Sequence, residues 1–91
     1  MMIVTGYLML DPQDRDAFVA DSVEFVRAAR GTSGCLDFAV SADTIDAGRV
    51  NVIERWESPE DLKAFRGDGP DDASAARILE LAVHDYAVTR V

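Results

Sequence analysis

The chain has 91 residues, 48% of them apolar and 29% charged, which suits one small globular domain and is too apolar for disorder. Asp and Glu number 17 against 9 Lys and Arg, giving a formal charge of -8 and arguing against DNA, RNA or anionic lipid as partners, since those are bound through basic clusters. One Cys and one His exclude an internal disulfide and a zinc site of the Cys/His type within one chain.

Ile3 to Leu10 reads as a strand with two largely apolar faces, Ile3, Thr5, Tyr7 and Met9 on one, Val4, Gly6, Leu8 and Leu10 on the other. The opening Met1-Met2-Ile3-Val4 lacks the basic start and apolar length of a signal peptide. Asp11-Pro12 supplies an N-cap and an N1 proline, so a helix is expected from Pro12 to Arg30. Its apolar stripe is Phe18, Val19, Val23, Val26 and Ala29, with Phe25 at the margin and Gly31 as the stop.

Cys35 to Ala42 alternates as a strand, placing Leu36, Phe38, Val40 and Ala42 on one face and Cys35, Asp37, Ala39 and Ser41 on the other. A polar hairpin loop over 43–48 leads to a strand from Arg49 to Glu57, with Val50, Val52, Glu54 and Trp56 on one face. Ser58-Pro59-Glu60-Asp61 starts a helix that runs through Leu62 and Phe65 to Gly67. A further helix is expected from Asp71 to Leu79, and a last strand from Val83 to Val91.

This order predicts an α+β fold, a ferredoxin-like split βαβ with an antiparallel sheet and helices on one face only. Residues 1–91 read as a single domain. So short a chain buries only about 60% of its unfolded surface. A homodimer is therefore expected, the open sheet face being covered by a second copy. No apolar run nears the roughly 20 residues of a membrane span, so no membrane contact and a cytoplasmic location are expected.

Gly34-Cys35-Leu36-Asp37-Phe38, then Arg49 to Ser58 (R-V-N-V-I-E-R-W-E-S), then Pro59 to Phe65 together resemble the antibiotic biosynthesis monooxygenase (ABM) family of dimeric α+β barrels. Its recurring pattern is a Gly-Cys-x-x-aromatic strand, then Glu-x-Trp-x-Ser, then a helix ending near Ala-His. The resemblance covers nearly the whole chain by element order and is most specific over 34–65. Family members oxidise quinols or anthrone-like polyketides without a cofactor, cleave haem, or have no assigned activity. The departures are informative. Phe65 stands where the Ala-His histidine often stands; the resemblance also implies that haem cleavage is disfavoured, since the first strand has no Asn, Phe65 stands at the helix Trp position and no His follows over Gly67 to Ile78. Polyketide-oxidising members carry an Asn four residues before the motif Trp. Here that position is Val52, and Asn51 lies on the opposite strand face.

The resemblance implies that the Trp56 face borders the ligand cavity. Glu54, two positions from Trp56 on an apolar face, is a candidate general base if desolvated, or else a structural ion-pair partner. Trp56 either lines a pocket or fills the core with its N–H on a carbonyl. His84, the only histidine, is a second candidate base, or a surface or dimer-contact residue at a strand start. Tyr7 and Tyr86 are candidate donors to a quinone oxygen. Phe18, Phe25, Phe38, Leu62 and Phe65 are candidate pocket walls. Arg77 is a candidate for steering an acidic ligand, or pairs with Glu80 or a neighbouring Asp. Cys35 has no activating neighbour in sequence.

No metal set or flavin motif is present, so no cofactor is expected. The two functions that fit are a cofactor-independent monooxygenase of a quinol or polycyclic aromatic molecule, and a non-catalytic dimeric ligand-binding or accessory domain.

Overall fold

The computed structural model describes residues 1–67 and 77–91. Its elements are β1 (Met2–Met9), α1 (Pro12–Asp21), α2 (Val23–Arg30), β2 (Cys35–Ala42), β3 (Arg49–Trp56), α3 (Pro59–Arg66) and β4 (Glu80–Ala87). The strands form one antiparallel sheet in the order β2-β3-β1-β4, the ferredoxin-like α+β arrangement. Among the described residues no helix is long and apolar enough to cross a membrane.

Both helix starts use the chemistry expected of them. Asp11 accepts from the Gln13 amide at 2.9 Å, and the Ser58 hydroxyl accepts from the Asp61 amide at 3.1 Å, each followed by proline. The helix expected over 12–30 is divided at Ser22. Its hydroxyl donates back to the Val19 carbonyl at 2.7 Å, competing with the regular ladder and bending the chain.

The last strand starts three residues earlier than expected, at Glu80, and ends at Ala87. It pairs with β1 over that strand's whole length, from Met9↔Glu80 to Met2↔Ala87, so β1 sets its limits. Of the helix expected over 71–79, residues 71–76 lie outside the described residues. Arg77 to Leu79 form a non-helical turn into β4, and Arg77 reaches Asp21 at 3.7 Å rather than a near neighbour.

A bulge in β2 shifts the register between Cys35 and Asp37. It corrects the expected faces at the strand's start: Cys35 pairs with Trp56 and packs against the core, while Leu36 is 44% exposed. Beyond the bulge the alternation holds, with Phe38 opposite Glu54 and Val40 opposite Val52.

The core has two parts beneath the helices. One joins Val4, Ala29, Phe38, Trp56 and Leu62; the other joins Leu8, Leu10 and Val50, with Phe18 and Val19 packed on it. Arg15, its side chain only 14% exposed, ties α1 to the β2–β3 loop by donating to the carbonyls of Asp43, Asp46 and Arg49 at 3.2–3.4 Å.

The same loop is held by Asp43, whose carboxylate accepts from the amides of Asp46 and Ile45 and from Asn51 Nδ2 at 2.8–3.0 Å. The Asp46 amide above all, then the Asn51 and Ile45 donors, lowers the Asp43 pKa from 3.8 to about 2. A lowered folded-state pKa gives stability that is present above the unfolded value and lost as pH falls through the folded one. Asp43→Asn is thus expected to be less stable than wild type near neutrality, with the gap closing between 3.8 and about 2 in urea melts.

Gly34 adopts φ +85°, and a Cβ there would run into the Asp61 side chain at the start of α3. Its carbonyl also accepts from the Glu57 amide at 2.9 Å. Gly34→Ala combines backbone strain with a displaced capping residue, and is expected to cost about 1–3 kcal/mol in urea denaturation.

Candidate active site

Register decides which side chains meet. Paired residues of neighbouring strands share a face, so Phe38 of β2, Glu54 of β3, Val4 of β1 and Asp85 of β4 form one row facing the helices. Trp56 and Met2 lie in the next row along β3 and β1. From above, α3 brings Leu62 and Phe65 onto this patch, and Phe25 of α2 closes its side.

The result is a contiguous aromatic wall. Phe65 sits with its ring centroid 5.0 Å from Trp56, 5.8 Å from Phe38 and 5.3 Å from Phe25, which is itself 5.7 Å from Phe38. Trp56 is fully buried, and Phe38 and Leu62 nearly so, whereas Phe25 at the edge is 57% exposed.

Glu54 is half-buried against this wall. The Trp56 indole Nε1–H donates to its Oε1 at 3.1 Å. Burial raises the Glu54 pKa above the ordinary carboxyl range and outweighs the opposing effects of the indole donor and of Arg66, while Asp85 adds to the rise. The indole thus finds a carboxylate in place of the carbonyl expected of a core tryptophan.

Next to this pair, Arg66 at the end of α3 grips Asp85 through two parallel bonds, Nη1 to Oδ2 and Nη2 to Oδ1, both 2.7 Å. The guanidinium holds the Asp85 carboxyl below its usual range.

Glu54, Trp56, Phe25, Phe38, Leu62 and Phe65 therefore converge. The other candidates do not. Phe18 packs in the second core cluster beside Leu8, Leu10 and Val50. His84 lies in mid-strand, not at a strand start, and pairs with Thr5, which puts it on the sheet face away from the helices. Tyr7 and Tyr86 share that open face. Tyr7 stacks under Arg49, with the guanidinium 4.2 Å from its ring centroid, and its hydroxyl donates to Glu80 at 3.4 Å; Tyr86 pairs with Ile3. The cause is strand alternation: β1 and β4 send every second residue to the open face. Asn51 is on that face too, bonded to Asp43 and Arg49, and no bulge in β3 turns it toward Trp56.

Arg66 and Asp85 were not singled out from the sequence. One signal was available: a strand begun at Glu80 puts Asp85 on the face of Leu81 and Val83, where a charge needs a partner. The partner itself, 19 residues away, is set only by the fold.

Among the described residues, two clefts open to solvent. One of about 290 Å³ lies between α1, α2 and β2, lined by Val19, Val23, Val26, Val40, Ser22 and the two arginines Arg27 and Arg30. Val26 and Val40 also pack against the cluster that holds Phe38 and Trp56, so this cleft abuts the aromatic wall. The other, about 320 Å³, lies on the open face around Thr5, Arg49 and Asn51. Glu54 and Trp56 line neither. Burial pushes the Cys35 thiol pKa up, so it is not activated as a thiolate. Among the described residues no group of three or more His, Cys, Asp or Glu is placed to hold a metal ion.

Residues 1–70 match the family described as antibiotic biosynthesis monooxygenase. Among solved structures, the chain is similar to a candidate antibiotic biosynthesis monooxygenase from Deinococcus radiodurans, at TM-score 0.82 and 18% identity over 100% of this chain and 95% of that one. A second such candidate, from Chloroflexus aurantiacus, is 26% identical at TM-score 0.76, over 99% and 94% of the two chains. A protein from Mycobacterium tuberculosis aligns at TM-score 0.79 and 22% identity, over 99% and 96%. No curated protein matches the chain.

Proposed function

Because the chain belongs to the antibiotic biosynthesis monooxygenase family, we propose that it oxidises a quinol or polycyclic aromatic substrate with dioxygen and without a cofactor, using Glu54 as general base. The observation that carries this reading is the half-buried Glu54 carboxylate, held by the Trp56 indole against a wall of aromatic rings. A base in such surroundings has a pKa moved toward neutrality, and so takes a proton more readily than an exposed carboxylate does.

Glu54 takes a proton from an activated CH2 or phenol of the substrate, leaving an electron-rich anion. The anion forms a C–O bond to dioxygen, giving a hydroperoxide. Loss of water breaks the O–O bond and leaves a carbonyl. The substrate supplies all four electrons that dioxygen takes up: the reacting carbon loses two hydrogens, one oxygen atom ends in its carbonyl and the other in water. The rings of Phe25, Phe38 and Phe65 exclude water and stack on the substrate, which approaches from the cleft beside Val26 and Val40.

The reading includes a homodimer and a reducing, cytoplasmic setting for the free Cys35. On the open sheet face Ile53 is 38% and Tyr86 49% exposed, a face suited to a second copy. A second function, a non-catalytic ligand-binding domain, is favoured by one observation: the rings close over Trp56, leaving it no solvent contact.

Aerobic mixing with quinol and anthrone probes tests the choice. Oxygen uptake above buffer, matched by formation of a carbonyl product, is expected. Tryptophan quenching by the same probes without uptake selects the second reading. A monomeric mass at micromolar concentration overturns the dimer.

A further inference from the structure

The Arg66–Asp85 bridge bears on the row that contains Glu54. Asp85 and Glu54 flank Val4 on adjacent strands, so two strand spacings, about 9–10 Å, separate their Cα positions. Both carboxylates face the helices, and Arg66 enters from α3 to meet Asp85. Asp85 occupies both Nη atoms of the guanidinium, so the cation is held at the β4 end of the row.

Among the described residues, the other charged and titratable groups around Glu54 are few. From β2 comes the Cys35 thiol, and from α2 comes Arg30, whose Nε donates to the Phe38 carbonyl at 2.8 Å. Val4 is what β1 presents there, and Phe65 and Leu62 are what α3 presents before Arg66.

We infer that Arg66 and Asp85 are positioning residues that hold each other's charge in balance beside Glu54, the bridge keeping the guanidinium on Asp85 and so from neutralising the base. This rests on the reading of Glu54 as the base. The pair is a compact dipole with its anion and cation both near Glu54. Left intact, its two effects on Glu54 oppose each other, and burial governs the carboxyl. Removing either partner leaves a net charge, of opposite sign in the two cases.

The test follows the Glu54 side-chain carboxyl by carbon NMR through a pH titration of the intact protein, which needs no substrate. Asp85→Asn leaves Arg66 free, and the acid dissociation constant of Glu54 is expected to rise about threefold or more, as a unit charge at this range with partial screening produces. Arg66→Gln leaves Asp85 alone, and the constant is expected to fall by a similar factor. The double variant is expected to return close to wild type. If Arg66→Gln fails to fold, Arg66→Lys keeps the charge without the fork and is expected to shift Glu54 less than Asp85→Asn does.

A bridge that only braces α3 against β4 lowers the melting temperature in both single variants but does not move Glu54 in opposite directions. Shifts of the same sign, or no shift in any variant, overturn the inference. Normal titration behaviour with no oxygen uptake instead overturns only the reading of Glu54 as a catalytic base.

Discussion

Glu54→Gln is expected to lower the rate of oxygen uptake by about 10²–10⁴-fold, the usual contribution of a positioned general base, while leaving the fold intact. The amide has nearly the carboxylate's shape, and its oxygen still accepts from the Trp56 indole, so the pair that orients position 54 survives. Stability is expected to change in the opposite sense to activity. Burial raises the Glu54 pKa in the folded chain, so between the unfolded value, near 4.5, and the raised one the folded state binds more protons than the unfolded state. Stability from this group therefore falls as pH rises through that window and is lowest above it. The neutral amide escapes that fall. Urea melts across the window should show the variant losing this slope and matching or exceeding wild type above it. A variant with full oxygen uptake removes Glu54 from the mechanism.

Trp56→Ala is expected to cost about 3–5 kcal/mol, a large part of the roughly 5–15 kcal/mol that holds a small domain together. The indole is fully buried, stacks with Phe65 and lies across from Cys35 and Met2, so no neighbour can collapse into the space without dismantling the wall. Trp56→Phe separates packing from polarity. It keeps most of the ring volume but removes the only side-chain donor recorded on Glu54 among the described residues, leaving a half-buried carboxylate without it. That change is expected to cost about 1–3 kcal/mol and to raise the Glu54 pKa further. Circular dichroism is the fitting probe, since the chain's one tryptophan is the residue replaced.

These effects explain why the motif that carries the family resemblance was legible as fold before it was legible as chemistry. Gly34 makes room for Asp61; Asp61 joins Ser58 in capping α3; and Cys35 pairs with Trp56. Most of the Gly-Cys and Glu-x-Trp-x-Ser-Pro signature thus secures the junction of β2, β3 and α3. Only Glu54 and Trp56 within it also supply the polar pair of the candidate site.

Local pattern was enough to assign strands β2 and β3, both helix starts and the shared face of Glu54 and Trp56. Alternation, proline and capping side chains act over a few residues, and such signals stay in the chain whatever it folds against. Three outcomes depended on contacts distant in sequence. The bulge at the start of β2 turned Leu36 outward and Cys35 inward, which no alternation count reveals. Pairing along the whole of β1 set the limits of β4, and so placed His84 and Tyr86 on the open face and Asp85 beside the helices. The docking of α3 then brought Arg66 to Asp85. Register and helix docking are settled by burying apolar surface and by satisfying a charge on an apolar face, and both need the partners assembled. Residue pattern therefore specifies a small acidic α+β domain with a Glu-Trp pair facing its core. Tertiary structure alone decided which of its aromatic residues and charges surround that pair.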